Sequence, residues 1–173
     1  AARGYAVIQP QFRGSTGFGE QWKNVNAFKN WRAAMNDVAN SAKWLAAQGL
    51  ADPNRMAIFG WSYGGYAALM SAETNPELYK AVIAVAPVTD FALWKEEKRA
   101  YTVSKIVDDM VGSGVELSLG SPLKNVDKTR VPVLRVHGEA DGNGTIRHHD
   151  QMAEGPQGGG KPVEHLPPRG PDP

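Results

Sequence analysis

The 173-residue chain is expected to fold as an α/β protein, with a mainly parallel sheet and helices on both faces. Two observations predict this. Short continuous apolar runs recur along the chain, each bounded by Gly, Pro or turn residues, as buried strands are. Between them lie stretches whose apolar residues fall at helical spacing.

Taken in order, Tyr5 to Gln9 ahead of Pro10 reads as a buried strand, and "FRGSTGFGE" (12–20) as a glycine-rich loop. From Ala33 to Gln48 the positions Met35, Val38, Ala39, Ala42, Leu45 and Ala46 mark one face of a helix. Gly49 stops it, and Asp52 to Arg55 is a turn. Met56 to Phe59 reads as a second strand, Gly64 to Ala72 as a helix, and Ala81 to Ala86 as a third strand closed by Pro87. Residues 90 to 111 are expected to be helical; Val131 to Val136 reads as a fourth strand and Val163 to Leu166 as a fifth. Residues 145 to 154 begin as a helix, which Gly155-Pro156 and the glycines at 158 to 160 halt. "LPPRGPDP" is too rich in proline for a regular element, so 155–173 is expected to be an irregular tail. No internal repeat is visible.

Composition narrows the function. The hydrophobic fraction is 42% and the charged fraction 21%, as in an ordinary globular domain with a real core. Lys plus Arg is 19 against 18 Asp plus Glu, so a net charge of +1 offers nothing to nucleic acid or an anionic membrane. No apolar run approaches the length of a membrane span. The absence of cysteine excludes disulfides, thiolate metal sites and a cysteine nucleophile, but leaves the compartment and the oligomeric state undetermined.

The chemistry centres on Gly60-Trp61-Ser62-Tyr63-Gly64. This is a Gly-x-Ser-x-Gly pattern in the context that gives it meaning: a strand precedes it and a helix rich in small residues follows. A nucleophile on so tight a turn sits in strained backbone, and side chains at the two glycine positions are expected to collide. The serine oxygen would stand at the carboxyl edge of the sheet beside a helix N-terminus, with the Tyr63 amide aimed at an oxyanion. Such a serine needs a base and an acid, in the order Ser, Asp, His. Asp141, on the loop after the fourth strand in "VPVLRVHGEADGN", is the acid candidate, though a turn residue before Gly142 is its plain reading. Asp90 is a weaker competitor.

The segments "RGYAVIQPQFRGSTGFGEQW", "DVANSAKWLAAQGLADPNRMAIFGWSYGGYAALM", "YKAVIAVAPVTDF", "SPLKNV" and "VPVLRVHGEADGN" together resemble the catalytic domain of the prolyl oligopeptidase family of serine peptidases, in its acylaminoacyl-peptidase and dipeptidyl-peptidase-like branch. The resemblance covers about residues 3–152 and makes 1–173 a partial catalytic domain. It implies an α/β-hydrolase fold, Ser62 as nucleophile, Asp141 as the acid and Tyr63 as an oxyanion-hole amide. It implies short or acylated peptide substrates, with no cofactor or metal. Where some members carry an oxyanion-binding tyrosine in the "RGSTGFG" region, this chain has Phe18, which offers no hydroxyl.

Three parts of the family pattern are missing from the sequence. They are the β-propeller, the strand ending in His-Gly-Gly-Pro, and the catalytic histidine that follows the acid by about thirty residues. His137 is expected to be structural. His148 and His149 fall on one helix, where side chains of adjacent residues point about 100° apart, so at least one should face solvent and the pair should not converge on a metal. His165 is too early by the family's spacing. In the family the missing strand lies between the strands at Tyr5 and Met56, so both of these should lack a partner on that side, or close up on each other. The remaining readings are plainer. Glycines 14, 17 and 19 form a turn rather than a phosphate loop. Trp22, Trp31 and Trp94 are open to a pocket or a packing role, and Trp44 should pack on its helix. Arg135, within an apolar strand, requires a partner or an exposed edge. A carboxylesterase or lipase of the same fold, and a non-catalytic interaction module, are the alternatives to a peptidase.

Overall fold

The computed structural model describes residues 3–26, 28–138, 145–154 and 163–166. A parallel sheet of four strands runs in chain order: β1 (Ala57–Trp61), β2 (Ala81–Val85), β3 (Val133–Val136) and β4 (Val163–Leu166). The helices are α1 (Glu20–Lys23), α2 (Trp31–Ala47), α3 (Tyr63–Thr74), α4 (Phe91–Lys98), α5 (Ser104–Val111), α6 (Val115–Leu119) and α7 (Arg147–Glu154). The stretch expected to be helical over 90–111 divides into α4 and α5. Asp90 caps the first, its carboxylate accepting from the amides of Ala92 and Leu93 at 2.7 and 3.3 Å. Tyr101, Thr102 and Val103, poor helix formers, fall at the break. Pro132 has no amide to donate, yet its carbonyl accepts Val82 N–H at 3.0 Å, so the apolar run from 131 enters the ladder only at Val133.

Register fixes which side chains share a face. Ile58, Val82 and Val133 form one row, and Gly60, Ala84 and Arg135 the next. Helix α3 covers this face. Its Ala68, Leu69 and Ala72 pack with Val82, Ala84, Tyr79 and Met152 of α7. On its other side, Tyr66, Ala67 and Met70 meet Ala34 and Met35 of α2, together with Phe28, Trp31 and Phe91. The opposite face of β1 is open: Phe59 and Trp61 are 67% and 71% exposed.

The expected strand at Tyr5 to Gln9 is not formed. The segment runs irregularly, with Tyr5 and Val7 exposed. A strand needs a neighbour for its N–H and C=O groups. β1 is bonded to β2 on one side only, and among the described residues no strand lies on the other. Among the described residues, the side of β1 expected to lack a partner does lack one. Arg135 also departs from the apolar pattern. It is 1% exposed in β3, and its Nη1 donates to the carbonyl of His149 at 3.0 Å. Its partner is thus a backbone oxygen of α7. Burial lowers its pKa to about 10, against the pull of Asp150.

Candidate active site

The turn between β1 and α3 has the backbone expected of a strained elbow. Ser62 sits at φ 55° and ψ −118°, a conformation that non-glycine residues avoid and that costs about 1–3 kcal/mol. Two hydrogen bonds hold it there: Ser62 N–H to Val85 O at 2.9 Å, and Tyr66 N–H to Ser62 O at 3.0 Å. The first ties the elbow to the carboxyl end of β2. The second is the opening bond of α3, so the amides of Tyr63, Gly64 and Gly65 precede the helical ladder and carry the positive end of its dipole. Serine is a favoured N-cap, yet the Ser62 side chain makes no capping bond. The residue is exposed.

The expectation that both elbow glycines avoid a clash holds for one of them. A Cβ on Gly60 would lie 2.0 Å from Gly64 O and 2.1 Å from Gly64 C. A Cβ on Gly64 would meet nothing within 4 Å, so the collision reading of that glycine is corrected. The second tight approach belongs to Gly65, where a Cβ would come 2.9 Å from Val85 O. The turn crosses over Gly60 and packs against the end of β2 through Gly65, while Gly64 faces outward.

Tyr63, half-buried, stands in an aromatic group. Phe12 stacks on it at 5.1 Å, Phe28 meets it edge-on at 4.6 Å, and Tyr66 lies at 5.3 Å. Burial raises its hydroxyl pKa, so the ring is neutral at physiological pH. Phe12 opens the glycine-rich loop, and the next residue anchors that loop. Arg13 donates to Asp37 of α2 through Nε at 2.8 Å, Nη2 at 2.7 Å and its own amide at 2.9 Å. Nothing in the sequence marks this pairing across 24 positions. Phe18 is exposed beside Trp22.

The acid candidate Asp141 lies outside the described residues. Asp90 is engaged as the cap of α4, and its other oxygen pairs with Lys124 at 3.1 Å. The histidines differ from expectation. His148 and His149 are 0% and 3% exposed, so neither faces solvent. α7 is wedged between two neighbours: His148 points at Thr89 and Glu97, and His149 lies near His137, ring centroids 6.4 Å apart. His137 is buried at the end of β3, in keeping with a structural role. Of the tryptophans, Trp31 is core and Trp94 packs on Phe28 at 5.1 Å. Trp44 leaves its helix face for solvent and, with Trp22, Ile8 and Asp37, lines a shallow groove of about 400 Å³. Among the described residues no group of His, Asp or Glu is placed to hold a metal ion.

A parallel sheet whose strand turns through a strained serine into a helix defines the α/β-hydrolase fold, and solved structures agree. The crystal structure of puromycin hydrolase superposes with a TM-score of 0.78 at 28% identity, over 90% of this chain and 24% of that one. The acylaminoacyl peptidase of Pyrococcus horikoshii superposes at 0.77 and 22% identity, over 90% and 26%, a likeness of fold. Among curated proteins, dipeptidyl aminopeptidase BIII of Pseudoxanthomonas mexicana is 29% identical over 175 residues, 96% of this chain and 25% of that protein. The prolyl oligopeptidase family model matches residues 1–166. The chain belongs to the prolyl oligopeptidase family of serine peptidases, and it spans about a quarter of the length of these three relatives.

Proposed function

We propose that this chain carries the nucleophile and acid of a serine peptidase acting on short peptides, and that residues 3–152 belong to its catalytic domain. One observation carries the reading: the elbow holds Ser62 in a costly conformation at the carboxyl edge of a parallel sheet, with its hydroxyl free of the capping bond a serine there usually makes. Ser62 Oγ attacks the acyl carbon while its proton passes to a histidine. The Tyr63 amide and the helix dipole hold the oxyanion. The leaving amine takes the proton, an acyl-enzyme remains on Ser62, and water then releases the acid. Asp141 orients the imidazole. Gly60 and Gly64 flank the turn, and no cofactor enters the chemistry.

None of the chain's four histidines is proposed as the base: His137, His148 and His149 are committed to the core, and His165 falls too early by the family's spacing. The 173-residue chain should therefore turn over about 10⁶-fold more slowly than a complete triad. Added imidazole supplies a diffusible base, and the expected result is an imidazole-dependent hydrolysis of an aminoacyl-anilide that Ser62→Ala abolishes. Rescue of a nitrophenyl ester but not of the anilide would shift the reading to an esterase. No Ser62-dependent rescue of either would favour a non-catalytic module.

A further inference from the structure

One cluster of buried polar groups is left unused by this chemistry. His148 of α7 is fully buried, and its Nδ1 lies 3.3 Å from the amide N of Thr89 and 3.2 Å from Thr89 Oγ1. Thr89 Oγ1 donates its own proton to the carbonyl of His148 at 2.9 Å. The amide N–H can only donate, so Nδ1 must accept, and the imidazole proton belongs on Nε2. Nε2 faces Glu97 Oε2 at 3.5 Å. The Glu97 carboxylate also accepts from the Thr145 hydroxyl, and from the Thr145 amide at 3.4 Å. These groups join three segments: the residues following β2, the end of α4, and α7 with the residue pair before it. Ala86 N–H bonds Val136 O at 2.7 Å, and Ser62 N–H bonds Val85 O, so the cluster sits at the same sheet edge as the elbow.

We propose that Thr89, His148 and Glu97 form a proton-operated latch that docks α7 on the carboxyl edge of the sheet when His148 is neutral and loosens it in acid. Donor counting supplies the mechanism. A proton added from water to Nδ1 turns that atom into a donor, and the Thr89 amide then faces it with nothing to accept. Thr89 Oγ1 can accept the new N–H through a lone pair while it still donates to the His148 carbonyl, but the Thr89 amide has no such alternative. Protonation therefore leaves the Thr89 amide, in a fully buried residue, without an acceptor and facing a second donor.

Four charged or titratable groups bear on the ring from its surroundings. Glu97 of α4 and Asp90 favour the proton, while His137 and Arg147 oppose it. Asp90 is already paired with Lys124, and Arg147 lies 3.9 Å from Glu96. Burial is the largest influence and lowers the pKa of His148 below its ordinary 6.5. Between 6.5 and that lower value the unfolded chain binds a proton that the folded chain refuses, so stability falls as pH falls through this window.

The test uses ¹⁵N-histidine-labelled 173-residue chain, with His148 assigned from the signal lost in His148→Gln. At pH 7 His148 is expected to show a non-protonated Nδ1 and a protonated Nε2, and to titrate below free histidine. Urea unfolding followed from pH 7 to pH 5 should show an uptake of up to one proton that His148→Gln removes, because glutamine offers both an acceptor for Thr89 and a donor for Glu97. In Glu97→Gln the titration should move to lower pH, since the countercharge is gone. A protonated Nδ1 at pH 7, a titration at or above the free value, or the same acid limb in a folded His148→Gln would overturn the proposal. If His148→Gln fails to fold, the Glu97→Gln titration decides: no downward shift overturns the latch.

Discussion

Gly60→Ala is expected to destabilise the chain by about 3 kcal/mol or more, at the upper end of what overpacking costs. The added methyl would lie 2.0 Å from Gly64 O and 2.1 Å from Gly64 C. Both are backbone atoms, pinned by the bonds from Ser62 to Val85 and from Tyr66 to Ser62. No rotamer can relieve the contact, so the elbow must open. Gly64→Ala is the matched control. It sits in the first turn of α3 with nothing within 4 Å of the new methyl, and alanine exceeds glycine in helix propensity by about 0.5–1 kcal/mol. That variant should fold as well as the parent or slightly better. Urea midpoints of the two variants against the parent check the pair, and equal losses in both would show that the turn does not close over Gly60.

Glu73→Met should act in the opposite direction and raise stability at pH 7 by about 1–3 kcal/mol, the cost of holding a buried polar group without a hydrogen-bond partner. Glu73 lies in α3 at 3% exposure, and among the described residues neither carboxylate oxygen has a hydrogen-bond partner. Burial raises its pKa well above the ordinary 4.5, with Lys128 pulling down and Asp127 pushing up. Because the folded value is the higher one, the stability this group allows is fully present below pH 4.5. It is lost as pH climbs toward the folded value, where the unfolded chain ionises and the folded chain does not. The parent should therefore weaken between pH 5 and pH 7 through this residue, and Glu73→Met should flatten that limb. A pH series of unfolding free energies reads both effects. A variant less stable than the parent at pH 7 would mean that the carboxylate has a partner.

Much of the sheet was legible because its strands are continuous apolar runs. The runs from Met56, Ala81, Val131 and Val163 all became strands, within about two residues at their ends. Tyr5 to Gln9 carries the same signal but forms no strand, because a run of that kind records a preference for burial and the ladder still requires a partner. The elbow was legible for a similar reason: strand, serine and helix are adjacent in sequence. What escaped notice was long-range and polar. Arg13 finds Asp37, Glu97 finds Thr145 and His148, and Arg135 finds the carbonyl of His149. Hydrogen bonds between groups so far apart leave no periodic trace. The histidines on α7 were misjudged because a helix wedged between two neighbours buries more than one face, which an amphipathic reading does not anticipate. Gly64 was misjudged because a five-residue pattern does not say which glycine the turn crosses.

The central claim is that the bend at Ser62 presents a reactive hydroxyl rather than a structural one. A fluorophosphonate probe, applied with imidazole to the intact 173-residue chain and mapped by mass spectrometry, tests it most directly. The expected result is one adduct, on Ser62, absent from Ser62→Ala while both proteins unfold at the same urea concentration. An adduct on another residue, equal labelling of Ser62→Ala, or a folded chain that takes up no probe would contradict it.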